Sequence, residues 1–251
     1  MTYISCPVIL ITKVFDYKKF VAANLHSVQP QKSRIFDVSL NQSLYQLIMT
    51  ENDQNIIREF HNILAMKYPY VNHKNWLKIQ DISIVKNIGK NELIFRAGDY
   101  LNYGIFVVEG CLKLFYFDEN GLERISTFTT KHEYIDNWND IHQNKPLPYS
   151  ISALTPSTII LYPLEKMVEI FKQEADLLQL CIDLSQQIIQ KKQEHYSVIT
   201  LKTPLERYSY LLKHRKEWIS DISVTNIAQY LHLSRETVSR VRNKIVKDKT
   251  S

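Results

Sequence analysis

Residues 223–244 read SVTNIAQYLHLSRETVSRVRNK, and this stretch decides the C-terminal fold. Ile227, Ala228, Leu231, Leu233, Val238 and Val241 recur at helical spacing, but His232-Leu233-Ser234 interrupts them. The pattern predicts two short helices joined by a tight turn. Ser223 and Ser234 each stand where a side-chain oxygen can cap a helix by accepting a bond from an orphan backbone N–H. Ala228 is small where the two helices must cross. The turn position holds His232, and histidine is among the few non-glycine residues that tolerate positive φ.

With Ser234 as cap, Arg235, Glu236 and Thr237 form the first turn of the second helix, with Ser239 and Arg240 close behind on the same side. Side chains able to bond base edges therefore crowd the half of the helix that a helix-turn-helix places in the major groove. An ordinary helical hairpin also shows Arg and Glu to water, but it needs neither two caps nor a small residue at the crossing. Charge placement agrees. From residue 201 onward the chain carries 11 Lys+Arg against 5 Asp+Glu, whereas everything earlier is nearly neutral, with 20 against 21. The positive field sits on the reading segment, as phosphate contact requires. Arg242, Lys244 and Lys247 are the expected backbone contacts, supported by Ser223, Ser234, Thr237 and Ser239.

At these residues the chain resembles the Crp/Fnr family of transcription regulators. Arg235, Glu236 and Arg240 match the family's three base-reading positions. The resemblance implies that each arginine meets a guanine and the glutamate a cytosine amino group, and that double-stranded DNA is the partner, with RNA polymerase as a further one.

The 251 residues, 45% of them apolar, suffice for one large or two medium domains. No run is long enough to span a bilayer, and the apolar stretch Cys6–Ile11 lacks a basic leader, so a cytoplasmic protein is expected. Cys6, Cys111 and Cys181 lie far apart, and the eight histidines are scattered. No metal spacing and no nucleophile–base set emerges, which argues against an enzyme.

Residues 1–49 form a poorly defined N-terminal extension. Val8–Ile11 suggests a strand and Phe15–Leu25 a helix. The resemblance does not cover this part, and Met49 stands just before the resemblance begins. The extension is expected to be dispensable or to follow from an upstream start that the cell does not use. From Thr50, a possible cap, Ile56, Ile57, Phe60, Ile63 and Leu64 mark a helix ended by Pro69, and a second helical piece carries Trp76. Short β runs follow: 92–95, 105–108, 112–117, 124–128, 151–154 and 159–162. Asp118-Glu119-Asn120-Gly121 is a hairpin signal among them. Such close-set strands argue a sandwich or roll.

Residues 50–163 also resemble the family's cyclic-nucleotide-binding-like jelly roll at the turns around Gly98, Gly110 and Gly121. In the family a Gly-Glu pair and an arginine hold the cyclic nucleotide. The region 134–150 here has neither that glycine nor that arginine, so control by cyclic AMP is not expected. His132, Tyr134, Trp138 and Tyr149 are candidates to line a pocket for another effector. The sequence names no cofactor.

After Pro163 a long helical region, 164–201, breaks near Glu174. Leu177, Cys181, Leu184, Ile188 and Val198 form one apolar seam, interrupted by Lys191 and His195, and Leu178, Ile182, Ile189, Tyr196 and Ile199 form another beside it. Such width must bury one side on the roll and another elsewhere. The resemblance implies a dimerisation helix and a homodimer, and the first seam is expected to serve it. Thr203-Pro204-Leu205-Glu206 is a capping box that opens a new helix running to Trp218. The run 205–208 resembles Crp/Fnr members of Bacteroidetes type. Residues 202–251 thus form the DNA-binding domain of an α+β chain. The rival reading is a ligand-binding signalling module acting through protein partners, its helix-turn-helix being scaffold.

Overall fold

Thr50 caps the first described helix as expected. Its side chain accepts from the Asp53 backbone N–H at 3.1 Å while the Asp53 carboxylate accepts from the Thr50 backbone N–H, a reciprocal box that starts helix α1, Glu51–Lys67. The computed structural model describes residues 49–135 and 146–250, all within the compact unit 33–251. The expected elements at 8–11 and 15–25, and Trp138, lie outside the described residues. Asn72 caps α2, His73–Asp81, by accepting from the Lys74 backbone N–H.

Eight strands follow: β1 Ile84–Ile88, β2 Leu93–Phe95, β3 Tyr103–Glu109, β4 Cys111–Phe117, β5 Glu123–Thr130, β6 Tyr134–Ile135, β7 Ser150–Ala153 and β8 Ser157–Pro163. They pair antiparallel into two sheets, in order β1-β8-β3-β6 and β2-β7-β4-β5. This is the predicted roll. Strands β1 and β6 were not named from sequence. In the β4–β5 hairpin the Asp118 carboxylate accepts from the backbone N–H groups of Asn120 and Leu122 and from Arg124 Nε–H, and Gly121 supplies φ +72°. Gly110, at φ +95°, leaves no room for a side chain: a Cβ there would stand 2.2 Å from Ser157 Oγ.

Three apolar clusters result. Ile94, Ile105, Leu112, Ile151 and Leu161 fill the space between the sheets. The outer face of the first sheet, through Phe106, Ile160 and Tyr162, packs on α1 and α2 and on two further helices, α3 Leu164–Phe171 and α4 Ala175–Ile199. The break between α3 and α4 falls at Glu174, as expected. The third cluster joins β4 and β5 to the C-terminal helices.

Within the second of these clusters His61 is buried. Its Nδ1–H donates to the Ile57 carbonyl at 2.7 Å, and Nε2 faces the Tyr162 hydroxyl at 3.3 Å. Burial, opposed by the Ile57 carbonyl, lowers its pKa to about 4. A depressed histidine pKa gives stability that is full above the ordinary value of 6.5 and lost as pH falls towards 4. The loss should reach about 3 kcal/mol near the lower limit. Thermal unfolding at pH 7 and pH 4.5 checks this: His61→Gln should reduce the pH-dependent drop in Tm, and an unchanged drop would exclude His61 as its source.

The apolar seams of α4 resolve differently from the expectation. Leu177 and Leu184 are buried, and Cys181 and Ile188 half-buried, against the protomer's own core. That seam is intramolecular, because α1 and α2 and the first sheet offer the nearest apolar surface. The adjacent seam faces outward: Leu178 is 47%, Ile182 45% and Tyr196 64% exposed. Among the described residues no helix is long and apolar enough to cross a membrane.

Candidate nucleic-acid interface

Thr203 and Glu206 form the predicted reciprocal box, with Glu206 N–H donating to Thr203 Oγ1 and Thr203 N–H donating to Glu206 Oε2. They start α5, Pro204–His214. The helix expected to continue to Trp218 instead breaks at Arg215, with φ −140° and ψ 52°, before the short α6, Lys216–Asp221. Arg215 Nε–H donates to Glu194 on α4, and the guanidinium lies 5.2 Å from the Trp218 ring centroid. This pairing draws Arg215 out of helical register.

Helices α7, Val224–Tyr230, and α8, Arg235–Thr250, form the helix-turn-helix. Both serine caps are present: Ser223 Oγ accepts from the Asn226 N–H at 3.2 Å, and Ser234 Oγ from the Thr237 N–H at 3.1 Å. His232 takes φ +55°, the left-handed turn expected of it. Leu233 N–H donates to the Ala228 carbonyl, and buried Ala228, Leu231 and Val238 close the crossing. Arg207 on α5 fixes the turn from behind, donating to the carbonyls of Leu201 at 3.0 Å and Leu231 at 3.1 Å. Arg207 and Arg215 are thus held by protein groups, while Lys213, His214 and Lys216 are exposed.

The reading face is open. Arg235, Glu236 and Arg240 are exposed at the start of α8, with Thr237 and Ser239 half-buried between them. Ser234 Oγ and Thr237 Oγ1 lie 3.0 Å apart, and Arg240 leans on Thr237 Oγ1 at 3.4 Å. The free N–H groups of the helix start, first its own, and then the Ser234 hydroxyl hold the Glu236 carboxyl below the usual carboxylate range. It remains an ionised acceptor, the form that meets a donor such as a cytosine amino group. Arg242, Lys244 and Lys247 are exposed along the same helix.

Of the proposed effector residues that are described, Tyr149 stands apart from His132 and Tyr134. His132, at φ +64°, stands with its ring 6.0 Å from Phe60, and Tyr134 packs with Phe106 on the helical side of the first sheet. Tyr149 packs instead against the cluster between the sheets. A cavity of only about 10 Å³ lies beneath α4, lined by Trp76, Phe106, Tyr162 and neighbouring apolar side chains. No group of three potential metal ligands occurs among the described residues.

An antiparallel β roll, a long helix and a capped helix-turn-helix with an open polar face make up the described architecture. Residues 85–174 match the cyclic nucleotide-binding domain family. The transcriptional activator protein Anr of Pseudomonas aeruginosa is 27% identical over 61% of this chain and 66% of its own length. The anaerobic regulatory protein of Pasteurella multocida is 25% identical over 64% of this chain and 63% of its own. The chain therefore spans slightly under two thirds of these curated relatives. Among solved structures, FixK2 from Bradyrhizobium japonicum superposes with a TM-score of 0.58 at 16% identity, covering 67% of this chain and 86% of that one. The global regulator CLP of Xanthomonas campestris, described as c-di-GMP responsive, gives 0.58 at 14% identity, covering 71% and 93%. The fold is theirs.

Lys247→Ala is expected to weaken specific and random duplexes alike and to lower the slope of log affinity against log salt by about one. A salt titration of both duplexes checks this. A change in sequence preference would contradict a phosphate role.

Proposed function

We propose that the chain is a sequence-specific, DNA-binding transcription regulator, working as a cytoplasmic homodimer with RNA polymerase as a further partner. The observation that carries this reading is the exposure of Arg235, Glu236 and Arg240 on the capped first turns of α8, buttressed from behind by Val238 and Arg207. The names of its relatives, a transcriptional activator and an anaerobic regulator, support it. The exposed seam Leu178, Ile182 and Tyr196 is the proposed dimer face, replacing the seam through Leu177. Dimerisation there sets the two recognition helices for half-sites about one DNA turn, roughly 34 Å, apart. Cyclic AMP is not the proposed effector, because the segment 134–150 lacks the glycine and arginine that would meet its phosphate. Recovery of crosslinked chromatin on the native protein tests the role: it should concentrate upstream of transcription starts, and an even distribution would favour the protein-partner module instead.

A further inference from the structure

The reader does not hang from α4 alone. Strand β5 turns Phe128 outward, and this fully buried ring meets Trp218 of α6 at 5.0 Å and Tyr230 of α7 at 5.5 Å, while Trp218 and Tyr230 touch edge to face at 5.3 Å. Phe115 and Ile125 from the same sheet join Leu211, Ile227 and Leu231 around them. The roll thereby holds the helix-turn-helix directly, through an aromatic seat.

Two histidines complete that seat. His195 projects from α4, stacks on Tyr230 with centroids 4.4 Å apart, and donates its Nε2–H to the Tyr230 carbonyl at 2.9 Å. His232, in the left-handed turn three residues before α8, stands 5.4 Å from His195, and its buried Nε2 has no hydrogen-bond partner among the described residues. The charged groups facing His232 are Arg124 from β5 and Arg207 from α5, with Asp118 from the β4–β5 turn, and His195 faces Glu194 of its own helix. The two nearby carboxylates are already engaged, Asp118 by Arg124 at 2.8 Å and Glu194 by Arg215. A proton added to His232 meets like charge from Arg124 and Arg207 and no free anion, and one added to His195 is taken up in a buried site whose nearby carboxylate is already paired.

We propose that β5 seats the reader for DNA recognition and that His195 and His232, neutral while seated, make the seat release on protonation; this rests on the DNA-reading role above. Burial lowers both histidines, His232 to about 4. A depressed value means that the seat is held above the ordinary 6.5 and weakened as pH falls below it. Between pH 7.5 and 5.5 such a histidine shifts the seat equilibrium about tenfold.

The test uses the full chain. Histidine ring NMR signals are titrated from pH 7.5 to 5, amide exchange of residues 216–240 is followed against β3 and β8, and affinities for a selected and a random duplex are compared at pH 7.5 and 5.5. Titration of the assigned His195 and His232 rings below 6.5, faster exchange in the reader with β3 and β8 unchanged, and a tenfold or greater loss confined to the selected duplex are the expected results. His195→Gln with His232→Asn, the asparagine keeping the positive φ, should bring the ratio of the two affinities close to one. Ordinary titration of both rings, or a variant that keeps the wild-type ratio, overturns the proposal. If no duplex binds at any pH the DNA-reading role fails, while the titration and exchange still decide the seat.

Discussion

Arg235→Ala lowers affinity for the selected operator by about 10- to 100-fold, as expected for losing one bidentate base contact of about 1–3 kcal/mol. Binding to random duplex falls only slightly, because the phosphate contacts from Lys244 and Lys247 remain. Arg235 is the first residue of α8, exposed beside the Ser234 cap, so its removal touches neither the cap bond to Thr237 nor the buried Val238. The fold should therefore be unchanged by circular dichroism and thermal unfolding. Competition between operator and random duplex is the readout. Equal loss on both would mean that Arg235 contacts phosphate and reads nothing.

Ile182→Glu is expected to turn the proposed dimer into a folded monomer and to weaken operator binding by about 100-fold or more, since two linked half-site contacts gain that order through effective concentration. Ile182 is 45% exposed on the outer side of α4, where a glutamate costs the isolated protomer little. Leu184→Ala, two residues on, acts differently: Leu184 is 2% exposed in the core beneath α4, and its truncation should destabilise the protomer by about 2–5 kcal/mol. Sedimentation and thermal unfolding of the two variants separate the roles. A dimeric Ile182→Glu would remove the proposed face.

The difference between these neighbours shows where the sequence is legible. Two adjacent apolar seams on α4 are plain from spacing, but spacing does not say which one meets the protomer's own core; α1, α2 and the first sheet decide it. Local signals were read directly. The caps at Thr50, Thr203, Ser223 and Ser234 all form, and His232 takes the positive φ its place in the turn requires, because each depends on residues within a few positions. Arg215 shows the opposite case. Leu211 and Trp218, seven residues apart, suit one continuous helix, and the break follows from Glu194, twenty-one positions earlier. The seat of Phe128, Trp218 and Tyr230 joins a strand to two later helices, and no local pattern announces it. His195 signalled it faintly, as a polar residue interrupting an apolar seam, and its partner is the Tyr230 carbonyl on another element. The candidate effector residues are near one another in sequence, whereas the fold packs Tyr134 in the cluster outside the first sheet and Tyr149 against the cluster between the sheets.

Selection of bound duplexes from a random library, with the purified full chain at pH 7.5, tests the central claim most directly. The account predicts an inverted repeat whose half-sites lie about 10 base pairs apart, centre to centre, with guanine and cytosine at the positions that Arg235, Glu236 and Arg240 reach. Recovery of sequences without symmetry or shared bases would contradict it.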